Sequence, residues 1–150
     1  MTALPISQKV RPRGTWQRAV ATCALTYDAR FFRRKKLITD AGWAFVADFE
    51  KAVSLNDGDG LELPGSRIVA IAAAPESLLA ITGPDLTRLA WHIGNRHTPC
   101  QIEPARLLIL EDPVIAAMLM KLGAQVVPVT QPFNPEGGAY GLGRTHGHAH

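Results

Sequence analysis

Cysteine, long apolar runs and net charge are all scarce in this sequence of 150 residues. The two cysteines, Cys23 and Cys100, stand far apart and form no C-x-x-C pair, which argues against a disulfide framework, a redox motif and a cysteine-based zinc site. The longest apolar stretch, residues 68–74, is too short to cross a bilayer, and residues 1–13 lack the apolar core of a signal peptide. We therefore expect a cytoplasmic protein with reduced thiols and no membrane partner.

Positive charge is also too weak to indicate a nucleic-acid-binding protein. The formal net charge is +3, far from the concentrated field that usually tracks a phosphate backbone. One basic cluster is formed by Arg30, Arg33, Arg34, Lys35 and Lys36. It alternates with Phe31, Phe32 and Leu37, and aromatic side chains in such a pattern can stack on nucleic-acid bases. Charges on a solvated strand edge also block aggregation, and this is the interpretation that we favour. We expect no nucleic-acid partner.

The first half of the chain consists of short β-type runs separated by turn signals, and it contains no helical pattern. Hydrophobic residues make up 47% of the sequence and charged residues 19%, which is typical of a globular protein with a core. After a polar start, we predict strands over residues 23–27, 36–39, 43–49, 61–63 and 67–74. Residues 56–60, Asn-Asp-Gly-Asp-Gly, are predicted to form a hairpin turn. Residues 1–74 are therefore predicted to form a β-rich N-terminal domain.

The second half alternates between strands and helices. Asp85 precedes a run in which apolar residues recur at helical spacing until Gly94, and Asp112 with Pro113 opens a second helix that Gly123 ends. The predicted strands are residues 76–82, 100–103, 106–110 and 125–130. This order of strand, helix, strand, strand, helix, strand is typical of a ferredoxin-like βαββαβ domain, here over residues 75–140. The chain is thus predicted to be α+β, with residues 141–150 as a flexible tail.

All five histidines lie in the second half, which is the main functional clue. His92 and His97 are separated by five residues, so a regular helix would place their side chains about 140° apart and prevent them from binding one ion together. They also lack the i, i+4 spacing and the intervening glutamate of hydrolytic zinc enzymes. For His92 we favour a structural role.

His97 follows the predicted helix stop Gly94-Asn95, where the chain turns outward and a ring nitrogen is presented to solvent. One histidine is a poor metal site, but a two-fold axis would bring the same residue of a second subunit beside it. The residues alone leave a metal ligand and an ordinary polar side chain equally open for His97. The metal interpretation requires a homodimer.

The C-terminal residues His146, His148 and His150 alternate with small residues, so that every ring can reach one ion. A purification remnant would normally be an unbroken histidine run, and we therefore favour native metal binding. Imidazole suits Ni(II), Zn(II) and Cu(II) alike. Cys100, three residues after His97, offers a soft ligand, but core packing is the interpretation that we favour for it.

Signals for catalysis are missing from the sequence. It contains neither a Gly-rich phosphate loop nor a nucleophile elbow, and Asp57-Gly58-Asp59-Gly60 lacks the later glutamate of a calcium loop. We therefore expect that the protein is not an enzyme.

Two segments carry a family resemblance. Residues 91–99, Trp-His-Ile-Gly-Asn-Arg-His-Thr-Pro, and residues 132–140, Pro-Phe-Asn-Pro-Glu-Gly-Gly-Ala-Tyr, resemble the motifs of the urease accessory protein E (UreE) family of nickel metallochaperones. The first half is also similar to that family at Arg34, Gly42 and residues 55–59. The resemblance covers nearly the whole chain.

The resemblance implies an N-terminal domain that contacts peptide or protein partners and a ferredoxin-like C-terminal domain that dimerises. It implies that His97 binds nickel at the dimer interface with help from His146, His148 and His150, and that the ion passes to a urease-activating GTPase complex and apo-urease. Residues 111–113, Glu-Asp-Pro, replace extra histidines of some members, and the short tail makes bulk nickel storage doubtful. The alternatives are a general zinc or copper buffer or sensor, a small enzyme, and an interaction module with an incidental tail.

Overall fold

The computed structural model describes residues 3–137, and the chain divides between Ala74 and Pro75 into two compact units. The first is a β domain and the second an α+β domain, which confirms the predicted class of each half. The predicted tail, with His146, His148 and His150, lies outside the described residues. No helix within residues 3–137 combines the length and apolar character needed to span a membrane.

The first unit contains two sheets. Its strands are β1 (Ile6–Ser7), β2 (Lys9–Arg11), β3 (Ala21–Leu25), β4 (Phe31–Ile38), β5 (Ala44–Ser54), β6 (Gly60–Leu63) and β7 (Arg67–Ala73), with a short 3-10 helix at Asp28–Arg30. One sheet has the order β1-β5-β4 and the other β2-β6-β7-β3. Side chains from both sheets share one apolar core, in which Phe45, Val69 and Ile71 are almost fully buried. Cys23 belongs to this core, so its role is packing.

This unit differs from the sequence prediction in two unpredicted strands and one wrongly predicted turn, and β4 and β5 are also longer than the strands predicted over residues 36–39 and 43–49. The polar start contributes two strands, β1 and β2, which are too short to produce a sequence pattern. Residues 56–60 do not form a hairpin, because they connect β5 of one sheet to β6 of the other. Their carboxylates fix the turn instead: Asp59 accepts hydrogen bonds from the backbone N–H groups of Asn56 (2.8 Å) and Arg13 (3.1 Å), and Asp57 accepts one from Ala73 (2.9 Å).

The basic cluster divides between the core and a strand edge. Arg30 is 2% exposed and donates from Nε to the carbonyl of Leu55 (3.1 Å) and from Nη1 to that of Leu25 (3.0 Å), so its predicted place among solvated charges was wrong. Its buried donors are satisfied by backbone oxygens and hold two segments together. Arg33 and Arg34 lie on β4, an edge strand, and both pair with Asp48, as expected for edge charges.

The second unit contains one antiparallel sheet and two helices. Its elements are β8 (Pro75–Thr82), α1 (Leu86–Asn95), β9 (Gln101–Ile102), β10 (Leu107–Leu110), α2 (Pro113–Lys121) and β11 (Gln125–Pro132). The sheet order is β11-β8-β10-β9. β9 is shorter than predicted, and β11 continues two residues further than predicted, through Pro132.

Both helices begin where the sequence predicts, because aspartates cap them. Asp85 accepts a hydrogen bond from the N–H of Arg88 (3.1 Å), and Asp112 accepts from Val114 (2.9 Å) and Ile115 (3.1 Å). Gly123, with φ at 89°, follows α2 in the left-handed conformation that glycine adopts without strain.

The two helices cover one face of the sheet. Leu79 and Ile81 of β8 stand opposite Ile109 and Leu107 of β10, so all four side chains share that face. They form a core with Leu89 and Ile93 of α1 and with Ile115 and Leu119 of α2. This packing fixes the end of α1, and with it the position of the residues that follow.

We predict that Asp112→Ala lowers the free energy of unfolding by about 1 kcal/mol, because two N–H groups at the start of α2 lose their acceptor. Urea unfolding followed by circular dichroism measures the change. Glu111→Ala is the matched control, since Glu111 is an exposed carboxylate one residue earlier that caps nothing in the described residues. Equal stability of the two variants would contradict the prediction.

Candidate functional site

His97 lies in a tight turn immediately after α1. The N–H of Arg96 bonds to the carbonyl of Ile93 (3.1 Å), that of His97 to Gly94 (2.9 Å) and that of Thr98 to Ile93 (3.3 Å). His97 itself has φ at 55°, in the left-handed region that residues other than glycine seldom occupy. Such conformations persist where the surrounding structure enforces them, often at functional sites. The turn thus ends the helix and redirects the chain at this histidine.

A cavity of about 170 Å³ lies beside His97. Its walls come from α1, from the turn, from β9 and the residues before it, and from a segment that follows β11; they are formed by Ala90, Gly94, His97, Thr98, Cys100, Ile102 and Glu136. A water molecule occupies about 30 Å³ in the liquid, so the cavity has room for a cation and several waters. Three of its lining residues, His97, Cys100 and Glu136, are of types that can ligate a metal, but the three side chains do not come close enough together to hold one ion by themselves.

Cys100 is partly buried and packs against the core of the second unit, as the sequence analysis favoured. Burial raises the pKa of its thiol to about 11, and the negative charge of Glu136 acts in the same direction. A thiol with this pKa is almost fully protonated at neutral pH. Cys100 therefore presents a neutral SH group to the cavity rather than a thiolate.

His92 is not part of this cavity. It lines a separate, largely apolar cleft of about 700 Å³ between α1 and α2, together with residues such as Arg96, Val114 and Met118. Its ring makes an edge-on contact with Trp91, with the centroids 5.1 Å apart. The structure thus separates the two histidines, as their five-residue spacing predicted.

Glu136 is a cavity residue that the sequence analysis did not select. Its backbone N–H donates to the carbonyl of Cys100 (2.9 Å), which places it beside the His97 turn although it lies 39 positions later in the chain. Glu136 belongs to residues 132–140, which had served only as a mark of family resemblance. The family resemblance of that segment was the only feature of the sequence that could have pointed to Glu136.

The described part of the chain does not contain a complete set of metal ligands. Between residues 3 and 137, no three side chains of His, Cys, Asp or Glu come close enough together to hold an ion. His146, His148 and His150 fall outside that range.

Family models of the urease accessory protein UreE match nearly the entire chain. The model of the N-terminal domain matches residues 6–74, and the model of the C-terminal domain matches residues 76–150. The two matches lie on either side of the division between Ala74 and Pro75.

Individual relatives are similar over their full length or most of it. The urease accessory protein UreE of Ruegeria pomeroyi is 56% identical over 147 residues, which cover 98% of this chain and 99% of the relative. UreE of Cereibacter sphaeroides is 52% identical, with 100% of this chain and 82% of the relative covered. UreE of Rhodobacter capsulatus is 48% identical, and the corresponding shares are 100% and 96%.

We predict that Cys100 reacts slowly with iodoacetamide at pH 8. With a pKa of about 11 rather than 9.0, its thiolate fraction is about 100-fold below that of an ordinary cysteine. The rate should rise as pH increases toward 11. Mass spectrometry of Cys23→Ser protein follows this single thiol, with glutathione as the reference. A rate equal to that of glutathione at pH 8 would contradict the raised pKa.

Proposed function

The chain belongs to the UreE family of urease accessory proteins, and on that premise we propose that it is a nickel metallochaperone. Membership implies a part in urease maturation and therefore the handling of metal. Our proposal is more specific: the protein binds Ni(II) through His97 and delivers it to the urease active site during its maturation, and it catalyses no reaction itself.

The position of His97 is the observation that supports this proposal. The residue is half-buried at the wall of a cavity, in a strained turn that the end of α1 enforces. The left-handed backbone conformation of His97 costs conformational free energy, which a glycine at the same position would avoid. The need to hold the imidazole ring of His97 in one direction, as a metal ligand requires, would explain why this conformation is kept.

The remaining ligands are proposed to come from the tail and from a second subunit. One imidazole is too few to hold an ion, and an isologous interface would double it. His146, His148 and His150 begin ten positions after Glu136, so a fully extended chain between them spans at most about 36 Å. A site made of a few neutral imidazoles keeps exchangeable positions, from which a partner with better ligands takes the ion. Zn(II) or Cu(II) would occupy the same ligands.

We also propose that the second unit is a ferredoxin-like domain that dimerises. The order β8-α1-β9-β10-α2-β11 and the antiparallel sheet β11-β8-β10-β9, with both helices on one face, support this assignment. The β domain is proposed to contact partner proteins. Those partners are a urease-activating GTPase, its accessory complex and apo-urease, in the cytoplasm.

The proposal predicts that His97→Ala abolishes high-affinity nickel binding, whereas His92→Ala leaves it unchanged because His92 lines a different cleft. Truncation after Arg144 should weaken binding or lower the number of ions bound without unfolding the protein. Titration calorimetry measures affinity and stoichiometry for the three proteins.

Activation of apo-urease is the second measurement, since a general zinc or copper buffer would not raise it. His97→Ala should lose this activation and His92→Ala should keep it. Nickel binding and urease activation that survive His97→Ala would refute the proposed function.

We further predict a dimer in the metal-free protein, because the proposed site needs His97 from two chains. Light scattering over a range of protein concentrations measures the mass. A monomer at every concentration that still binds nickel tightly would exclude the shared site.

A further inference from the structure

A continuous chain of hydrogen bonds ties residues 131–134, at the end of β11 and just after it, to the hairpin of β9 and β10. Arg106 donates from Nη2 to Gln131 (2.9 Å) and from Nε to Glu103 (2.7 Å). Gln101 donates from Nε2 to the other oxygen of Glu103 (2.8 Å), and its own Oε1 accepts the N–H of Asn134 (2.8 Å). We refer to these five residues as the clip. It begins and ends on the same segment, so that segment is held at two points.

Two further contacts complete the attachment. Phe133, between the two points of the clip, is fully buried, and the N–H of Glu136 bonds to the carbonyl of Cys100. The Arg106 and Glu103 side chains are about one-third exposed, and a charge-assisted hydrogen bond in such a site is stronger than a neutral one. The path of the chain is therefore defined up to Glu136.

The result of this attachment is the position of one carboxylate. Glu136 lines the cavity of His97, and its charge is felt at the thiol of Cys100. Within residues 3–137, the Glu136 side chain makes no hydrogen bond or ion pair, in contrast to Glu103, which the clip engages fully. Its backbone serves the fold, whereas its carboxylate has no structural partner there.

We propose that Glu136 supplies a carboxylate oxygen to the cation held at His97, and that Gln101 and Arg106 are positioning residues that keep it there. This inference rests on the proposed nickel function of His97. Carboxylate oxygens and imidazole nitrogens combine readily around divalent first-row ions, and the exposed carboxylate of Glu136 places a negative charge at the rim of the cavity, where it attracts a cation.

Glu136→Gln tests the ligand, because it keeps the shape of the side chain and the backbone bond to Cys100 but removes the charge. We expect nickel affinity to fall at least about tenfold, because even the loss of a group that only supports a metal ligand costs about that much. Glu50→Gln is the matched control: Glu50 is exposed like Glu136, so the variant removes the same charge from an equally exposed class of position, but in the first unit. Affinity is measured by competition with a chelator at fixed ionic strength, with Ni(II) as the probe.

The outcomes separate this inference from the function on which it rests. Equal affinities of Glu136→Gln and Glu50→Gln, together with lost binding in His97→Ala, would overturn the role of Glu136 and leave the nickel function standing. Unchanged binding in His97→Ala as well would overturn both.

Gln101→Ala tests the clip. We expect it to weaken nickel binding in the native background and to have no further effect in the Glu136→Gln background, since it acts through Glu136. Faster amide hydrogen exchange at Asn134 and Glu136 would show independently that the clip has opened. Arg106→Gln serves as the second variant if Gln101→Ala does not fold. An equal loss of nickel affinity in both backgrounds would overturn the positioning role, because a general structural defect would lower the affinity whichever residue is present at position 136.

Discussion

The pairing of β8 with strands on both of its sides is the constraint on which the second unit depends. β8 pairs with β10 through four residues and with β11 through eight, from Gln125 opposite Thr82 to Pro132 opposite Pro75. A slip of one residue would turn the buried face of a strand toward solvent, so this register is strongly specified. The register places the start of α1 at one end of β8 and the exit of β11 at the other.

Three separate stretches of chain meet at the cavity because of this arrangement. α1 leads to His97, the approach to β9 supplies Cys100, and the exit from β11 supplies Glu136. The sheet brings these stretches together, and the clip and the helix-ending turn then hold residues 131–134 and His97 in place.

Sequence reasoning succeeded where the physical signal is local. Asp85, Asp112 and Gly123 mark helix ends through hydrogen bonds and backbone angles that involve only a few neighbours. It failed for β1 and β2, because strands of two and three residues depend on distant partners. It also ended β11 too early, at residue 130, because Pro132 and the Asn, Pro and Gly residues that follow normally argue against a strand; β11 is an edge strand, where a missing N–H is tolerated.

The same distinction applies to the candidate site. The position of His97 after a helix stop was visible in the sequence, and so was the separation of His92 from it. Glu136 was not visible, because the hydrogen bond that joins it to Cys100 spans 36 positions. The buried position of Arg30 was hidden for a similar reason: its carbonyl acceptors belong to other segments, so the local run of cations suggested exposure.

The protonated state of Cys100 determines how readily its thiol is oxidised. Oxidation to sulfenic acid proceeds through the thiolate, so a thiol with a pKa of about 11 reacts slowly with peroxide. By keeping this sulfur neutral in the metal-free protein, the burial of Cys100 protects the residue from oxidation.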